Sequence, residues 1–302
     1  MNPRTMRRSG FVSIVGRPSS GKSTLLNALC GHKISIVSPV PQTTRNKIRG
    51  ILTDGRGQIV FLDTPGFHTS ERKFNLRMRD LVTESLEEVE AVLYVTDATR
   101  EPGPEESELV GLLGGISAPV VCAVNKVDDS RARPDDVAGF VAAHLPSAGI
   151  HRVSAVAGTG LEDLTSTLFE HLEEGELYYP EEFYTDQDPA LRIAEVIREK
   201  AIAELKQEIP HALFVDIADM EMRAPDDREA EQELWVRAFV TVERDSQKGI
   251  VIGRGGERIR RVRIDAEAEL AGIFPYRVSL DLRVKVQPKW RTNESVLNRL
   301  LR

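Results

Sequence analysis

The sequence predicts an α/β domain with a mostly parallel sheet, followed by a smaller α+β domain. Over about residues 10–172, short apolar runs rich in β-branched residues alternate with amphipathic stretches, which is typical of right-handed βαβ units. From residue 189 the pattern changes to one amphipathic helix and strands of strict apolar–polar alternation, which indicates a sheet covered on one face. The length of 302 residues fits two domains, since one domain typically holds about 150 residues.

The first domain, residues 10–172, is predicted to carry strands that alternate with helices on both faces of the sheet. Compact apolar runs predict buried parallel strands at residues 11–15, 59–62, 91–96, 119–124 and 150–153. Amphipathic patterns predict helices at residues 22–30, about 75–89, 105–113, about 135–145 and about 161–172.

The second domain, residues 189–302, follows an acidic, aromatic and proline-interrupted segment. That segment, residues 173–188, predicts a linker that packs at a few points. Apolar residues at helical spacing predict a helix over residues 189–207. Alternating residues predict strands at 234–242 and 278–286, with a helical stretch at about 254–270 between them. The predicted order is helix, strand, strand, helix, strand.

Composition excludes several classes of protein. Hydrophobic residues make up 41% of the chain and charged residues 29%, which excludes a mostly disordered or fibrous chain. Two cysteines, Cys30 and Cys122, are too few for a disulfide framework or a four-cysteine zinc site, and we expect buried free thiols in a reducing compartment. No apolar run has the length of a signal peptide or a membrane span, so we expect a cytoplasmic protein.

Residues 16–23 read GRPSSGKS and match the phosphate-binding pattern G-x-x-x-x-G-K-[ST], between a predicted strand and helix. The glycines allow successive N–H groups to point at phosphate oxygens at a helix N-terminus. In this pattern Lys22 pairs with the β- and γ-phosphates, and the Ser23 hydroxyl is a ligand of Mg²⁺. A chance match on a glycine-rich turn is the alternative, and the strand–helix context disfavours it. The predicted cradle consists of Gly16, Ser19, Ser20, Gly21, Lys22, Ser23 and Thr24.

The sequence DTPG, residues 63–66, comes directly after a predicted strand. There the Asp63 carboxylate can reach the metal through water, and the Gly66 N–H can reach a γ-phosphate. Taken alone, DTPG is a common turn. Its place after a phosphate-binding loop favours the functional interpretation.

The sequence NKVD, residues 125–128, follows the strand at 119–124, at the edge where open α/β sheets bind ligands. An ionised Asp128 carboxylate accepts two N–H bonds and therefore suits N1–H and the 2-amino group of guanine. The Lys126 stem can cover the base. Ser154 and Ala155, after the last predicted strand, are expected to point backbone N–H groups at the guanine oxygen. With Asn125, these residues predict guanine as the base.

Together these motifs resemble the GTPase domain of the translation-factor-related superfamily. Residues 40–45 (VPQTTR) resemble the first switch of the Era family of bacterial GTPases. The resemblance implies that Thr44 meets Mg²⁺ and the γ-phosphate, with Thr43 as the alternative. With the motifs above, we expect Lys22, Thr44 and Gly66 as catalytic residues, and Ser23, Thr44 and Asp63 at the metal.

Phe67 follows DTPG where many regulatory GTPases carry a glutamine that orients water. A phenyl ring cannot orient water, so we expect slow, Mg²⁺-dependent GTP hydrolysis in which positioning supplies the catalysis. Ser19 occupies a position that the family resemblance ties to potassium binding through asparagine. Serine also offers an oxygen, and potassium activation stays open.

Residues 249–259 read GIVIGRGGERI and resemble the signature of KH RNA-binding domains. A GxxG turn lets the backbone approach phosphates closely and clamps about four nucleotides of single strand. The alternative is a glycine turn beside a solvated basic helix, and the helix and strand order, which resembles the bacterial type II form, favours RNA. The predicted RNA-binding residues are Lys248, Gly253, Arg254, Gly255, Gly256 and Arg258.

Charge separates the last 70 residues from the rest of the chain. Residues 233–302 hold 15 Lys and Arg against 9 Asp and Glu, a net charge of +6, whereas residues 1–232 carry −13. The overall net charge of −7 therefore conceals a basic C-terminal region suited to phosphates.

The Era-family resemblance covers about residues 10–300. It implies a GTP-hydrolysing switch that binds single-stranded RNA near the 3′ end of 16S ribosomal RNA and assists assembly of the small (30S) subunit. It also implies loose peripheral association with the inner membrane. The alternative is a constitutive RNA-binding protein whose nucleotide site is structural.

Overall fold

The computed structural model describes residues 7–38, 40, 43–46, 48–67, 80–87, 89–205, 212–223 and 232–300. Contacts divide the chain between Asp186 and Gln187 into two units. Residues 173–186 of the predicted linker belong to the first unit, where the Tyr179 N–H donates to Gln58 Oε1 and the Ile51 N–H donates to the Tyr184 carbonyl.

The first unit is a six-stranded sheet in the order β2-β3-β1-β4-β5-β6. Five strands pair in parallel: β1 (Arg8–Val15), β3 (Gly57–Asp63), β4 (Ala91–Asp97), β5 (Val120–Asn125) and β6 (Gly149–Arg152). The predicted mostly parallel sheet is confirmed. The sequence analysis missed β2 (Ile48–Asp54), which pairs antiparallel with β3 at the sheet edge. The Asp54-Gly55 dipeptide between two strand-like runs is the hairpin signal that could have found it.

Helices cover both faces of this sheet. They are α1 (Lys22–Cys30), α2 (Pro104–Leu113), α3 (Pro134–His144) and α4 (Leu161–Glu170). One apolar cluster packs α1 and α4 against the sheet through residues such as Leu25, Leu26, Leu164 and Leu168. The opposite cluster packs α2 and α3 through Leu109, Val110, Val137 and Val141. The helix predicted at 75–89 lies partly outside the described residues. Within the described part, residues 80–84 are helical.

Both cysteine thiols are free and buried, as predicted. Burial favours the neutral thiol and raises the pKa of Cys30 and of Cys122 to about 12. Within the ranges that the structure describes, no helix is both long and apolar enough to cross a membrane.

The second unit has a three-stranded sheet in the order β7-β8-β9. Its elements are α5 (Pro189–Glu204), β7 (Phe214–Arg223), β8 (Glu233–Val242), α6 (Asp245–Ile252), α7 (Glu257–Leu270), β9 (Arg277–Val286) and α8 (Glu294–Leu300). The inner-facing residues Val236, Ala238 and Val240 of β8 are fully buried and form one cluster with the apolar faces of α5 and α7. The helical stretch predicted from residue 254 begins later, at Glu257, because Gly253, Gly255 and Gly256 have positive φ angles.

Candidate nucleotide site and RNA-binding loop

The loop between β1 and α1 depends on a glycine immediately before the helix. Gly21 has a φ of 98°, and a Cβ there would lie 2.3 Å from Asn125 Nδ2. Only glycine therefore fits the loop at its meeting point with the residue after β5. Ser19 also adopts the left-handed conformation, with a φ of 64°.

Lys22 turns its ammonium back into the loop. Its Nζ donates to the carbonyl oxygens of Gly16 at 3.0 Å and Arg17 at 3.1 Å. Burial lowers the pKa of Lys22 to about 8, against the attraction of Asp63, which raises it. A buried cation whose hydrogen bonds within the described residues go to two neutral carbonyl oxygens gains from an anionic phosphate.

A group of hydroxyls surrounds the Asp63 carboxylate. Oδ2 accepts hydrogen bonds from Ser35 at 2.9 Å, Ser23 at 3.0 Å and Thr44 at 3.4 Å. The Ser23 and Thr44 hydroxyls are themselves 2.8 Å apart. Ser35 was missed by the sequence analysis, since nothing in the motifs singles out that position.

Asp63 Oδ1 is buried and has no hydrogen-bond partner among the described residues. Burial raises the pKa of Asp63, although Lys22 and the three hydroxyls lower it. A buried carboxylate with an unpaired oxygen, beside two hydroxyl oxygens, is a donor set that suits a hard cation such as Mg²⁺. The residues present therefore fit the metal that the sequence predicts.

The structure distinguishes the two switch threonines. The Thr44 hydroxyl joins Ser23 and Asp63, whereas the Thr43 hydroxyl donates to the Val40 carbonyl at 2.6 Å. Thr44 is thus the threonine that shares the predicted metal site. Residues 41–42 of the predicted switch, and residues 68–75 after Phe67, lie outside the described residues.

Gly66 lies directly against the phosphate-binding loop. A Cβ there would be 2.7 Å from Pro18 Cα, and the next N–H, of Phe67, donates to the Gly16 carbonyl at 3.1 Å. The Phe67 side chain is buried in the apolar cluster around α2 and α3. It serves the core and offers no polar atom to water.

Asn125 joins three segments of the base site. Its Nδ2 donates to the Ser20 carbonyl at 3.0 Å, and its Oδ1 accepts from the Ala155 N–H at 3.1 Å. The Ser154 N–H donates to the Thr159 carbonyl. The N–H groups of Ser154 and Ala155 therefore both donate to acceptors within the protein. Their contact with the guanine oxygen stays a prediction.

Two aspartates follow the Asn125 turn, and they differ in availability. The Asp128 side chain is exposed. The Asp129 carboxylate instead pairs with Arg131 at 2.7 Å, and the hydrogen bonds from Arg131 hold its pKa well below the usual range. Asp128 is thus the carboxylate left to accept N–H groups of a base.

A buried ion pair joins the phosphate-binding loop to α2. Arg17 Nε lies 2.7 Å from Glu106 Oε1 in α2, and both side chains are at most 10% exposed. The Arg17 carbonyl oxygen also accepts a hydrogen bond from the Lys22 ammonium. Sequence reasoning missed this pair because its partners are 89 residues apart.

The remaining predicted cradle residues also lie at this edge of the sheet. Thr24 and Ser19 line a cleft together with Gly21, Lys22, Ser23, Thr44 and Gly66. The Ser20 hydroxyl is buried and unpaired among the described residues. The predicted positions in residues 16–24, 63–66, 125–128 and 154–155 lie at or just after the carboxyl ends of β1, β3, β5 and β6, where open α/β folds bind ligands.

In the second unit, the GxxG tetrad forms a 3₁₀ turn between α6 and α7. Gly255 and Gly256 have φ angles of 58° and 81°, and a Cβ at either would meet nothing within 4 Å. The backbone there is open to close approach. Arg254 is exposed on the turn.

Two predicted RNA-binding side chains are less available. The Arg258 guanidinium donates to the Ile250 carbonyl of α6, and Arg258 Cβ would lie 2.8 Å from a Cβ at Gly253. This contact uses Arg258 to hold the turn in place. Lys248 lies on α6, half-buried.

Comparisons with known proteins decide the family. A family model described as a 50S ribosome-binding GTPase matches residues 11–126, and a KH domain model matches residues 208–291. GTPase Era from Treponema denticola is 46% identical over 97% of this chain and 99% of its own length. The chain belongs to the Era family of GTPases. GTPase Era from Borreliella afzelii is 43% identical over the same shares. The predicted fold, a GTPase domain followed by a KH domain, is confirmed.

Two solved structures match the whole chain. One is Era from Aquifex aeolicus bound to GDP and AlF₄⁻, with a TM-score of 0.90, 33% identity, and coverage of 97% of this chain and 98% of that one. The other is Era in complex with MgGDPNP and nucleotides 1506–1542 of 16S ribosomal RNA, with a TM-score of 0.90, 34% identity and the same coverage. The predicted GTPase activity, with GTP and GDP as ligands, is confirmed.

Proposed function

We propose that the protein is a GTP-controlled switch that binds single-stranded RNA near the 3′ end of 16S ribosomal RNA and assists assembly of the small (30S) subunit. The observation that carries this proposal is the presence of a guanine-nucleotide site and an open GxxG turn in one chain. The likeness to Era in complex with MgGDPNP and 16S RNA supports the RNA half.

In the nucleotide half, N–H groups of the loop over Gly16, Ser20 and Gly21 bind phosphate oxygens, and Lys22 neutralises their charge. The buried state of Lys22 supports this role, since the ammonium is already desolvated and aimed into the loop. Asp128 accepts the N–H groups of guanine, and Asn125 holds the loops together. Lys126 covers the base with its stem.

Mg²⁺ would be held by the hydroxyls of Ser23 and Thr44, with Asp63 beside them. Bound there, it would neutralise charge that develops on the phosphate oxygens during hydrolysis. The unpaired Oδ1 of Asp63 and its three hydroxyl partners support this assignment.

Hydrolysis rests on positioning by the chain's own residues. The Gly66 N–H is proposed to bind the γ-phosphate, and its close packing on Pro18 supports that place. Phe67, packed in the core, cannot orient water, so the intrinsic rate is slow. Ser19 offers an oxygen for potassium, and a comparison of hydrolysis in KCl and NaCl tests that role.

In the RNA half, the turn over Gly253–Gly256 clamps the phosphate backbone, with Arg254 and Lys248 supplying positive charge. The open space at Gly255 and Gly256 supports close backbone approach. The net charge of +6 over residues 233–302 adds a sequence-independent attraction. The proposed place of action is the cytoplasm, and the family resemblance alone suggests peripheral contact with the inner membrane.

The experiment that tests the proposal crosslinks the full chain to RNA in its GTP-analogue state and sequences the attached RNA. We expect reads concentrated at the single-stranded 3′ end of 16S RNA. The Arg254→Asp, Gly255→Asp double variant is the matched control and should lose those reads. Reads scattered over unrelated RNA, or unchanged in the variant, would contradict the proposal.

A further inference from the structure

Asp97 is a buried carboxylate that none of the nucleotide-binding motifs includes. It ends β4 and lies in register with Asn125 at the end of β5. Its side chain is only 1% exposed. A buried carboxylate is costly unless it is paired, so its partners indicate why it is there.

The two carboxylate oxygens of Asp97 have different partners. Oδ1 accepts from the N–H of Thr99 at 2.9 Å and from the Thr99 hydroxyl at 2.7 Å, which caps the turn after β4. Oδ2 accepts from Lys126 Nζ at 2.7 Å. The exposed Arg100 guanidinium lies farther away, with Nε 3.9 Å from Oδ2.

Lys126 is fixed at both ends of its side chain. Its backbone has a φ of 66°, a conformation rarely adopted by residues other than glycine, asparagine and aspartate. At the other end, Nζ donates to Asp97 Oδ2 and to the Ser19 carbonyl at 2.8 Å. The aliphatic stem is therefore stretched between the β5 loop and the phosphate-binding loop.

The ionisation of Asp97 agrees with this pairing. Burial opposes the charge, but hydrogen bonds from Lys126 and Thr99 outweigh it and hold the pKa of Asp97 below its ordinary value. The carboxylate is thus ionised at neutral pH and attracts the ammonium.

We propose that Asp97 is a positioning residue for guanine recognition. It holds the Lys126 stem in the position where the stem covers the base. Without Asp97, the Lys126 ammonium would keep the Ser19 carbonyl as its one hydrogen-bond partner among the described residues, and the flexible stem would leave that position. This inference rests on the proposed role of Lys126 at the base. It adds a residue on β4 to a site otherwise built from β5 and the loops.

The test is a double-mutant cycle on the equilibrium affinity of the full chain for GDP, with Asp97→Asn and Lys126→Met. Asp97→Asn keeps the shape of the side chain and removes its charge. We expect it to weaken GDP binding about tenfold in the Lys126 background, since it weakens a charge-assisted hydrogen bond. In the Lys126→Met background the same change should weaken binding less than twofold.

Thr99→Val is the matched control, because it removes a donor from the same carboxylate without touching Lys126. We expect it to change GDP affinity less than twofold. Should Asp97→Asn fail to fold in thermal unfolding, Asp97→Ser replaces it in the cycle.

Two outcomes would overturn the inference alone: no loss from Asp97→Asn, or an equal loss in both backgrounds, which would make Asp97 a purely structural residue. A Lys126→Met variant that binds GDP as tightly as the unmodified chain would also overturn the inference, since the ammonium would then not be needed to place the stem. A Lys126→Ala variant lacks the stem as well, and equally tight GDP binding by that variant would overturn the proposed base site. The two Lys126 variants therefore distinguish failure of this inference from failure of the proposed function.

Discussion

The Asn125 side chain donates from Nδ2 to the Ser20 carbonyl at 3.0 Å, which ties the base loop to the phosphate loop across 105 residues of sequence. The contact is possible because Gly21 has no Cβ, which would lie 2.3 Å from the same nitrogen. The loops predicted to bind the base and the phosphates are therefore held together by a direct hydrogen bond. A change at the base end should alter which nucleotide binds while leaving the phosphate end intact.

Asp128→Asn should shift the preference from guanine to xanthine nucleotides. An amide cannot accept both N–H groups of guanine, but it can pair with the 2-oxo group of xanthine. We expect GDP affinity to fall at least about a hundredfold, since one of the two guanine N–H groups loses its acceptor. Competition of GDP and XDP against a fluorescent nucleotide measures this, with Asp129→Asn as the matched control. Unchanged preference in Asp128→Asn would remove that carboxylate from the base site.

Thr44→Ala should lower GTP hydrolysis and raise the Mg²⁺ concentration needed for half-maximal rate. The Thr44 hydroxyl lies 2.8 Å from Ser23 Oγ, whereas the Thr43 hydroxyl faces the Val40 carbonyl. We expect at least about a tenfold loss of rate for Thr44→Ala, in the range for removal of one stabilising group. Thr43→Ala should stay within about twofold of the unmodified chain. The reverse ranking of the two variants would assign the metal site to Thr43.

Arg254→Asp combined with Gly255→Asp should weaken RNA binding without lowering basal GTP hydrolysis. The changes place negative charge on an exposed turn that is open to phosphates. We expect at least about a tenfold loss of affinity for single-stranded 16S 3′ RNA, and a smaller salt dependence. The control is Arg277→Asp, an exposed change at the start of β9. RNA affinity that survives in the double variant would make the tetrad a structural turn only.

Cys30 and Cys122 should resist thiol reagents in the native state. The thiolate is the reactive form, and a pKa of about 12 leaves only about one thiolate in ten thousand at pH 8. We expect no Ellman's-reagent reaction within minutes, and two equivalents in guanidinium chloride. A thiol that reacts fast in folded protein would show that its burial is incomplete.

The sequence predicted the strands, their mostly parallel pairing and the positions of the nucleotide-binding motifs along the chain because those features are local. Each motif directly follows a β-rich run, so the carboxyl edge of a parallel sheet brings Lys22, Asp63 and Asn125 together. The sequence did not identify Ser35 and Asp97 as parts of the site because neither residue belongs to a motif. The sequence could nevertheless have pointed to Asp97, because that residue directly follows a predicted strand at the ligand-binding edge of the sheet, next to the strand that carries the NKVD loop.

Long-range pairs account for other misses. Glu106 reaches Arg17 only through the packing of α2 against the sheet, which no local pattern encodes. The sequence predicts Arg258 as an RNA contact, and the structure adds that its guanidinium donates a hydrogen bond to the Ile250 carbonyl. The charge of a side chain can be read from the sequence, whereas its hydrogen-bond or ion-pair partner depends on the tertiary fold.

The central claim is that nucleotide state controls RNA binding, and one affinity comparison tests it directly. The full chain is titrated with an RNA of nucleotides 1506–1542 of 16S ribosomal RNA, the segment held by its solved relative, in GDP and in GDPNP. We predict binding at least about fivefold tighter with GDPNP, the lower end of typical coupling, and no such difference in Lys22→Ala, which should not hold either nucleotide. Equal RNA affinity of the unmodified chain in both nucleotides would contradict the switch and indicate a constitutive RNA-binding protein.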